Sequence, residues 1–110
     1  MEQVDDIRIL KASGRVSHES AARLGAALDA AIAESSGGLI LDLEAVDYLS
    51  SAGGLVIEGA AARLAAVHRR FVLSGATEPV RVALDLAGLL PGLVLVPSRA
   101  EAIRQVARAS

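Results

Sequence analysis

Five consecutive residues, Ser50-Ser51-Ala52-Gly53-Gly54, carry most of the chemistry this chain can offer. They follow a short apolar run (Leu39, Ile40, Leu41, Leu43) and precede an Ala-rich amphipathic stretch. That order reads as a strand, a tight connection, and two hydroxyls at the start of a helix. The first turn of a helix holds unsatisfied backbone N–H groups and a partial positive charge, which suits a hydroxyl cap or a phosphate. A cap contributes about 1 kcal/mol. Ser51 is either such a cap or a phosphoryl acceptor, and the same serine can be one in the resting form and the other when modified. Gly53 and Gly54 each cost roughly 1 kcal/mol relative to alanine inside a helix. Their expected use is to let another molecule approach the first turn closely.

Other chemical templates fail. The chain has two histidines, His18 and His68, and no cysteine, so no metal site is expected. His18-Glu19 begins like a zinc-protease helix, but Ala22 stands where the second histidine belongs. There is no phosphate-binding P-loop, and the sole lysine, Lys11, falls inside an expected strand. Neither Ser50 nor Ser51 has the Gly-x-Ser-x-Gly frame of a hydrolase elbow. Asp42, Glu44 and Asp47 cluster near the strand end and read as solvated loop residues. No catalytic residues and no cofactor are expected, and the chain is not read as an enzyme.

Composition narrows the partners. The chain has 110 residues, enough for one domain spanning 1–110 with a real core. Hydrophobic residues make up 53%, which argues for a packed aliphatic interior. With 13 acidic and 11 basic residues and a net charge of −2, nothing provides a footprint for nucleic acid or an anionic membrane. One Phe, one Tyr and no Trp leave no platform on which bases could stack. The first ten residues, MEQVDDIRIL, are acidic and lack an apolar signal core. The longest uncharged run, Leu86–Ser98, is broken by Pro91 and is shorter than the roughly 20 residues needed to cross a bilayer. The expected setting is cytoplasmic, without membrane insertion.

The elements that would position the serines follow from periodicity. Val4–Ala12 reads as one or two strands, Gly14 to Ser17 as a connection, and Ser20 to Ala33 as a helix burying Leu24, Leu28, Ala31 and Ile32. Ser35-Ser36-Gly37-Gly38 would end that helix with residues tolerant of the left-handed conformation. Leu39–Leu43 is a strand, and Ala52–Val67 a helix with Ile57, Ala60, Ala61 and Leu64 inward and Arg69-Arg70 at its negative end. Phe71–Ser74 is the next strand. A helix follows from Thr77 and Pro79, with Val80, Ala83, Leu84 and Ala87 on one face, and Gly88 stops it. Leu93–Val96 is a short strand, and Ser98 with Glu101 forms a capping box before a helix burying Ile103 and Val106. This alternation predicts an α/β fold: a small, mostly parallel sheet of four to five strands, with about four helices mainly on one face.

The segments GRVSHESAARL, LILDLEAVDYLSSAGG, RRFVLSGATEPVRVALDLAGL and VPSRAEAI together resemble the STAS domain of bacterial anti-sigma factor antagonists. The resemblance runs from Ile7 to Val106, and Leu41–Gly53 is its specific part. It implies a partner-switching role. The unphosphorylated antagonist binds an anti-sigma factor that is also a serine kinase with a histidine-kinase-like ATPase fold, and the sigma factor is released. Phosphorylation of the antagonist breaks the complex, and a PP2C-type phosphatase restores it. The family's acceptor falls on Ser51, and Ser50, Ala52, Gly53, Gly54 and Ser17 would form the surrounding partner-binding and phosphate site. Two departures stand out: Ser50 and Ser17 occupy positions where the family often has Asp. Gly54 replaces a large aliphatic residue.

A second reading keeps the fold and changes the partner: a STAS subunit of an ABC-type lipid transport complex, bound to the transporter ATPase. There the serine would be a cap or contact residue. A third reading, a small-molecule or nucleotide binder, has only Ser51–Gly54 to rest on. Ser50 and Ser51 both remain open as the modified residue, with register and family favouring Ser51.

Overall fold

The computed structural model describes residues 2–4 and 6–107; the expected domain of 1–110 extends past them, and Met1, Asp5 and residues 108–110 lie outside. Strands β1 (Glu2–Val4), β2 (Ile7–Val16), β3 (Leu39–Leu49), β4 (Phe71–Ser74) and β5 (Val94–Val96) form one sheet in that order. β1 pairs antiparallel with β2, and β2 through β5 are parallel. Helices α1 (His18–Ala33), α2 (Ser51–Ala66) and α3 (Glu78–Leu86) connect the parallel strands; a 3-10 turn (Leu90–Gly92) precedes β5, and α4 (Arg99–Ala107) follows it. Crossovers between parallel strands are right-handed, so a sheet that grows steadily in one direction collects its connecting helices on one face.

The core follows from that rule. Leu39, Leu41, Leu43 and Leu73 face Leu24, Leu28 and Ala31 of α1, Ile57, Ala60 and Leu64 of α2, and Val80 and Leu84 of α3. On the opposite face Ile7, Ile9, Ile40 and Val72 pack against Ala102 and Val106 of α4. Each fully buried aliphatic side chain contributes about 1.5–3 kcal/mol of transfer free energy. The expected fold class holds: three helices on one side and a single helix on the other.

Several expectations need correction. The connection expected at Gly14–Ser17 is strand as far as Val16, because β2 continues to pair with β3 up to Val16 opposite Leu49. Irregularities between Lys11 and Ser13 and between Gly14 and Arg15 absorb the mismatch, with Gly14 at φ +76°. For the same reason β3 does not stop at Leu43 but runs to Leu49. Asp42 is therefore no loop residue. It is 5% exposed, on the α4 face, and its carboxylate accepts from Glu44 N–H and from Arg99, each at 3.0 Å. Glu44 and Asp47 are likewise strand residues and not loop residues, but they are exposed, as expected.

The arginine pair also acts elsewhere. Arg69 donates to the carbonyls of Ile32 (3.0 Å) and Gly37 (2.7 Å) and to Ser35 Oγ (2.8 Å). It thus caps the end of α1, not the end of its own helix, and burial pushes its guanidinium below the ordinary arginine pKa. Gly37 and Gly38 are not left-handed; among described glycines only Gly14, Gly75 and Gly88 have positive φ. A side chain at Gly37 would collide with the Asp6 carbonyl, and one at Gly38 with Val106, so close packing demands glycine there. At α4, Ser98 Oγ accepts from Glu101 N–H at 3.2 Å, and Ile103 is half-buried where burial was expected. Ile32, Ala61 and Ala83 are likewise half-buried, and Ala87 is exposed.

Candidate functional site

The C-terminal ends of β2 and β3 lie side by side and deliver two helix N-termini to one place. Ser17 caps α1: its Oγ accepts from Ser20 N–H at 3.2 Å, while Ser20 Oγ accepts from Ser17 N–H at 2.8 Å. Ser50 caps α2, accepting from Gly53 N–H at 3.1 Å, with extended backbone (φ −77°, ψ 167°). Ser50 N–H in turn donates to the Val16 carbonyl at 2.8 Å. The cap and the exposed hydroxyl are thus divided between neighbours. Ser50 satisfies the helix, and Ser51 is exposed with no side-chain hydrogen bond among the described residues. The first turn of α2 carries no acidic residue, so its partial positive charge is uncompensated there.

The glycines have a different reason from the one expected. Gly53 and Gly54 are buried. A Cβ on Gly53 would stand 2.6 Å from Leu49 Cδ1 and 2.8 Å from Val16 Cγ1, and one on Gly54 would stand 3.3 Å from Leu89 Cδ1. They let α2 sit tightly on the strand ends and on Leu89, three residues past α3. Gly53 therefore holds no space open for a visitor, whereas Gly54 also lines the cleft beside Ser51. Ala52 is half-buried beside them.

Ser51 opens onto a shallow cleft of about 270 Å³ between α2 and α3, walled by Tyr48, Leu49, Ser50, Gly54, Ala83 and Leu86. Apolar side chains are exposed on its wall and close to it. Leu86 is 83% exposed and Leu55, one turn beyond Ser51, is 64% exposed. The Arg15 guanidinium lies 4.1 Å from the centre of the Tyr48 ring, placing a cation on an aromatic face near the same edge. Thr77 Oγ1 donates to the Val46 carbonyl at 2.9 Å and so ties the start of α3 to β3, which holds the far wall in place. Among the described residues, no cluster of three or more His, Cys, Asp or Glu could hold a metal ion, and no helix is long and apolar enough to cross a membrane.

Sequence reasoning located Ser17, Ser50, Ser51, Ala52, Gly53 and Gly54, and the structure gathers them around the two helix N-termini. It missed Tyr48, Arg15 and Leu86. Leu86 left a signal: an apolar residue off the buried stripe of α3. Nothing in the sequence announced that Arg15 and Tyr48 are register partners.

The family model described as "STAS domain" matches residues 1–102. BtrV of Bordetella bronchiseptica, named as a candidate anti-sigma factor antagonist, is 31% identical over 99 residues, covering 90% of this chain and 85% of that protein. An anti-sigma factor antagonist from Mycobacterium paratuberculosis has a crystal structure that is similar at TM-score 0.87 and 28% identity, covering 96% of this chain and 90% of that one. The crystal structure of a candidate anti-sigma factor antagonist from Thermotoga maritima shares the fold at TM-score 0.88 and 23% identity, covering 97% and 92%.

Proposed function

The chain belongs to the STAS domain family, and from that membership we propose that it acts in the cytoplasm as an anti-sigma factor antagonist whose docking surface is gated by phosphorylation of Ser51. Antagonism of an anti-sigma factor is the function that its relatives' names support. The finer reading adds that the anti-sigma factor is itself a serine kinase, and that a PP2C-type phosphatase reverses the modification.

One observation carries the gate: Ser51 Oγ is exposed and uncommitted while its neighbour Ser50 does the capping. In the transfer, Ser51 Oγ attacks the γ-phosphorus of ATP, ADP leaves, and a base of the kinase takes the hydroxyl proton. The product carries about −1.5 to −2 charge. At the first turn of α2 that charge is welcome, because N–H groups and the helix dipole face it. The fold therefore survives. The same charge is unwelcome to a partner seated on Leu55, Leu86 and Tyr48, since an unpaired charge buried in an apolar contact costs several kcal/mol. Each 1.4 kcal/mol is about tenfold in affinity. One modification suffices to release the partner without moving the backbone.

The test is an intact-mass measurement after incubation with ATP and the cognate anti-sigma kinase. One phosphoryl group is expected on the wild type and on Ser50→Ala, and none on Ser51→Ala. Binding to the kinase should be strong for Ser51→Ala and sharply weaker for Ser51→Asp. Equal affinities of these two variants, or modification that persists in Ser51→Ala, would sink the gate.

A further inference from the structure

At the opposite end of the sheet, where β2, β3 and β4 begin, lies a cavity of about 290 Å³ lined by Ser36, Gly37, Gly38, His68, Arg69 and Arg70, with Asp6 also on its wall. Three features of this cavity ask for an anion. The backbone N–H groups of Ser36, Gly37 and Gly38 are consecutive, and none donates to an acceptor among the described residues. Successive free N–H groups in a concave loop are a natural anion cradle. The Arg70 guanidinium makes no hydrogen bond or ion pair among the described residues, while Arg69 beside it is held rigid by its three acceptors.

The third feature is His68. It is the one non-glycine residue with positive φ (+58°) among those described. α2 ends there in a Schellman motif: His68 N–H donates to the Ala65 carbonyl at 3.1 Å and Arg69 N–H to Leu64 at 2.9 Å. α3 ends in the same motif, with bonds from Gly88 to Asp85 and from Leu89 to Leu84, and there the left-handed position is Gly88 at φ +74°. The fold thus uses glycine at one helix end and a histidine with left-handed backbone at the other. That histidine lines the cavity.

We propose that this cavity binds a small phosphate-type oxyanion, held by the N–H groups of Ser36–Gly38, the Arg70 guanidinium and the His68 imidazole. An arginine fork matches such an anion with paired hydrogen bonds. The volume sits at the bottom of the roughly 300–1,000 Å³ range of ligand pockets, so the occupant is inorganic phosphate or a small phosphate ester. Asp6 opposes the anion and sets a ceiling on affinity. The site is independent of Ser51.

The full chain is titrated with inorganic phosphate, with free phosphoserine, and with chloride at matched ionic strength, following the backbone amides by NMR. The Ser36, Gly37 and Gly38 amides should shift and saturate with either phosphate compound and stay still in chloride. Tighter phosphoserine binding identifies an ester as the occupant, and equal binding identifies free phosphate. Arg70→Gln should weaken binding at least tenfold. His68→Gly should weaken it several-fold while the Tm holds or rises, an outcome a purely structural histidine would not give. Asp6→Asn should tighten it, and Ser51→Ala should leave it unchanged. Amides that ignore phosphate, or Arg70→Gln with wild-type affinity, overturn the proposal.

Discussion

The Val16 carbonyl and the Ser50 N–H are joined by a 2.8 Å hydrogen bond at the very end of β2 and β3. Because each strand passes directly into a capped helix, this one bond sets the starts of α1 and α2 beside each other. It also assigns the serines. Ser50 is drawn inward, N–H to Val16 and Oγ to Gly53, which leaves Ser51 to face outward.

That division predicts a clear difference between adjacent serines. Ser50→Ala removes the cap and should cost about 1 kcal/mol in urea unfolding. Ser51→Ala removes an exposed hydroxyl and should stay within about 0.5 kcal/mol of the wild type. Equal losses would mean that Ser51 shares the capping.

The two kinds of glycine in α2 should respond in opposite directions to alanine. At Gly53 the new methyl would press on Leu49 and Val16, so Gly53→Ala should destabilise by about 1–3 kcal/mol despite better helix propensity. Gly59 has open space around it, and Gly59→Ala should stabilise by about 0.5–1 kcal/mol. Thermal unfolding of the two variants checks both signs at once.

Arg69 binds three acceptors at once, two backbone carbonyls and the Ser35 hydroxyl. Arg69→Ala should cost about 2–3 kcal/mol, since three partly buried acceptors lose a charged donor. Arg69→Lys should recover less than half of it, because an ammonium lacks the planar fork. Full recovery by lysine would reduce the role of Arg69 to simple charge.

Ser74 is fully buried, and its Oγ has no hydrogen-bond partner among the described residues. A buried unpaired hydroxyl is a penalty already present, so Ser74→Ala should be neutral or stabilising by up to about 1 kcal/mol. A loss beyond about 0.5 kcal/mol would reveal a partner for that oxygen.

Local pattern was enough for most of the fold. The apolar stripe at Leu24, Leu28 and Ala31, the run Leu39–Leu43 and the punctuation at Pro79 and Gly88 each depend on neighbours a few residues apart, and these features are visible along the chain. Ser51 and its surroundings were legible for the same reason: caps and glycines mark a strand-to-helix turn locally.

What failed were judgements that depend on a distant partner. Asp42 looks solvated until Arg99, far along the chain, is brought against it by the fold. Arg69 looks like the cap of its own helix until the end of α1 arrives beside it. Gly53 looks like an opening for a visitor until Leu49 and Val16 occupy the space. Periodicity states which face of an element is buried, but not which other element covers it. That choice is made by long-range packing, and burial, pairing and the cavity beside His68 all follow from it.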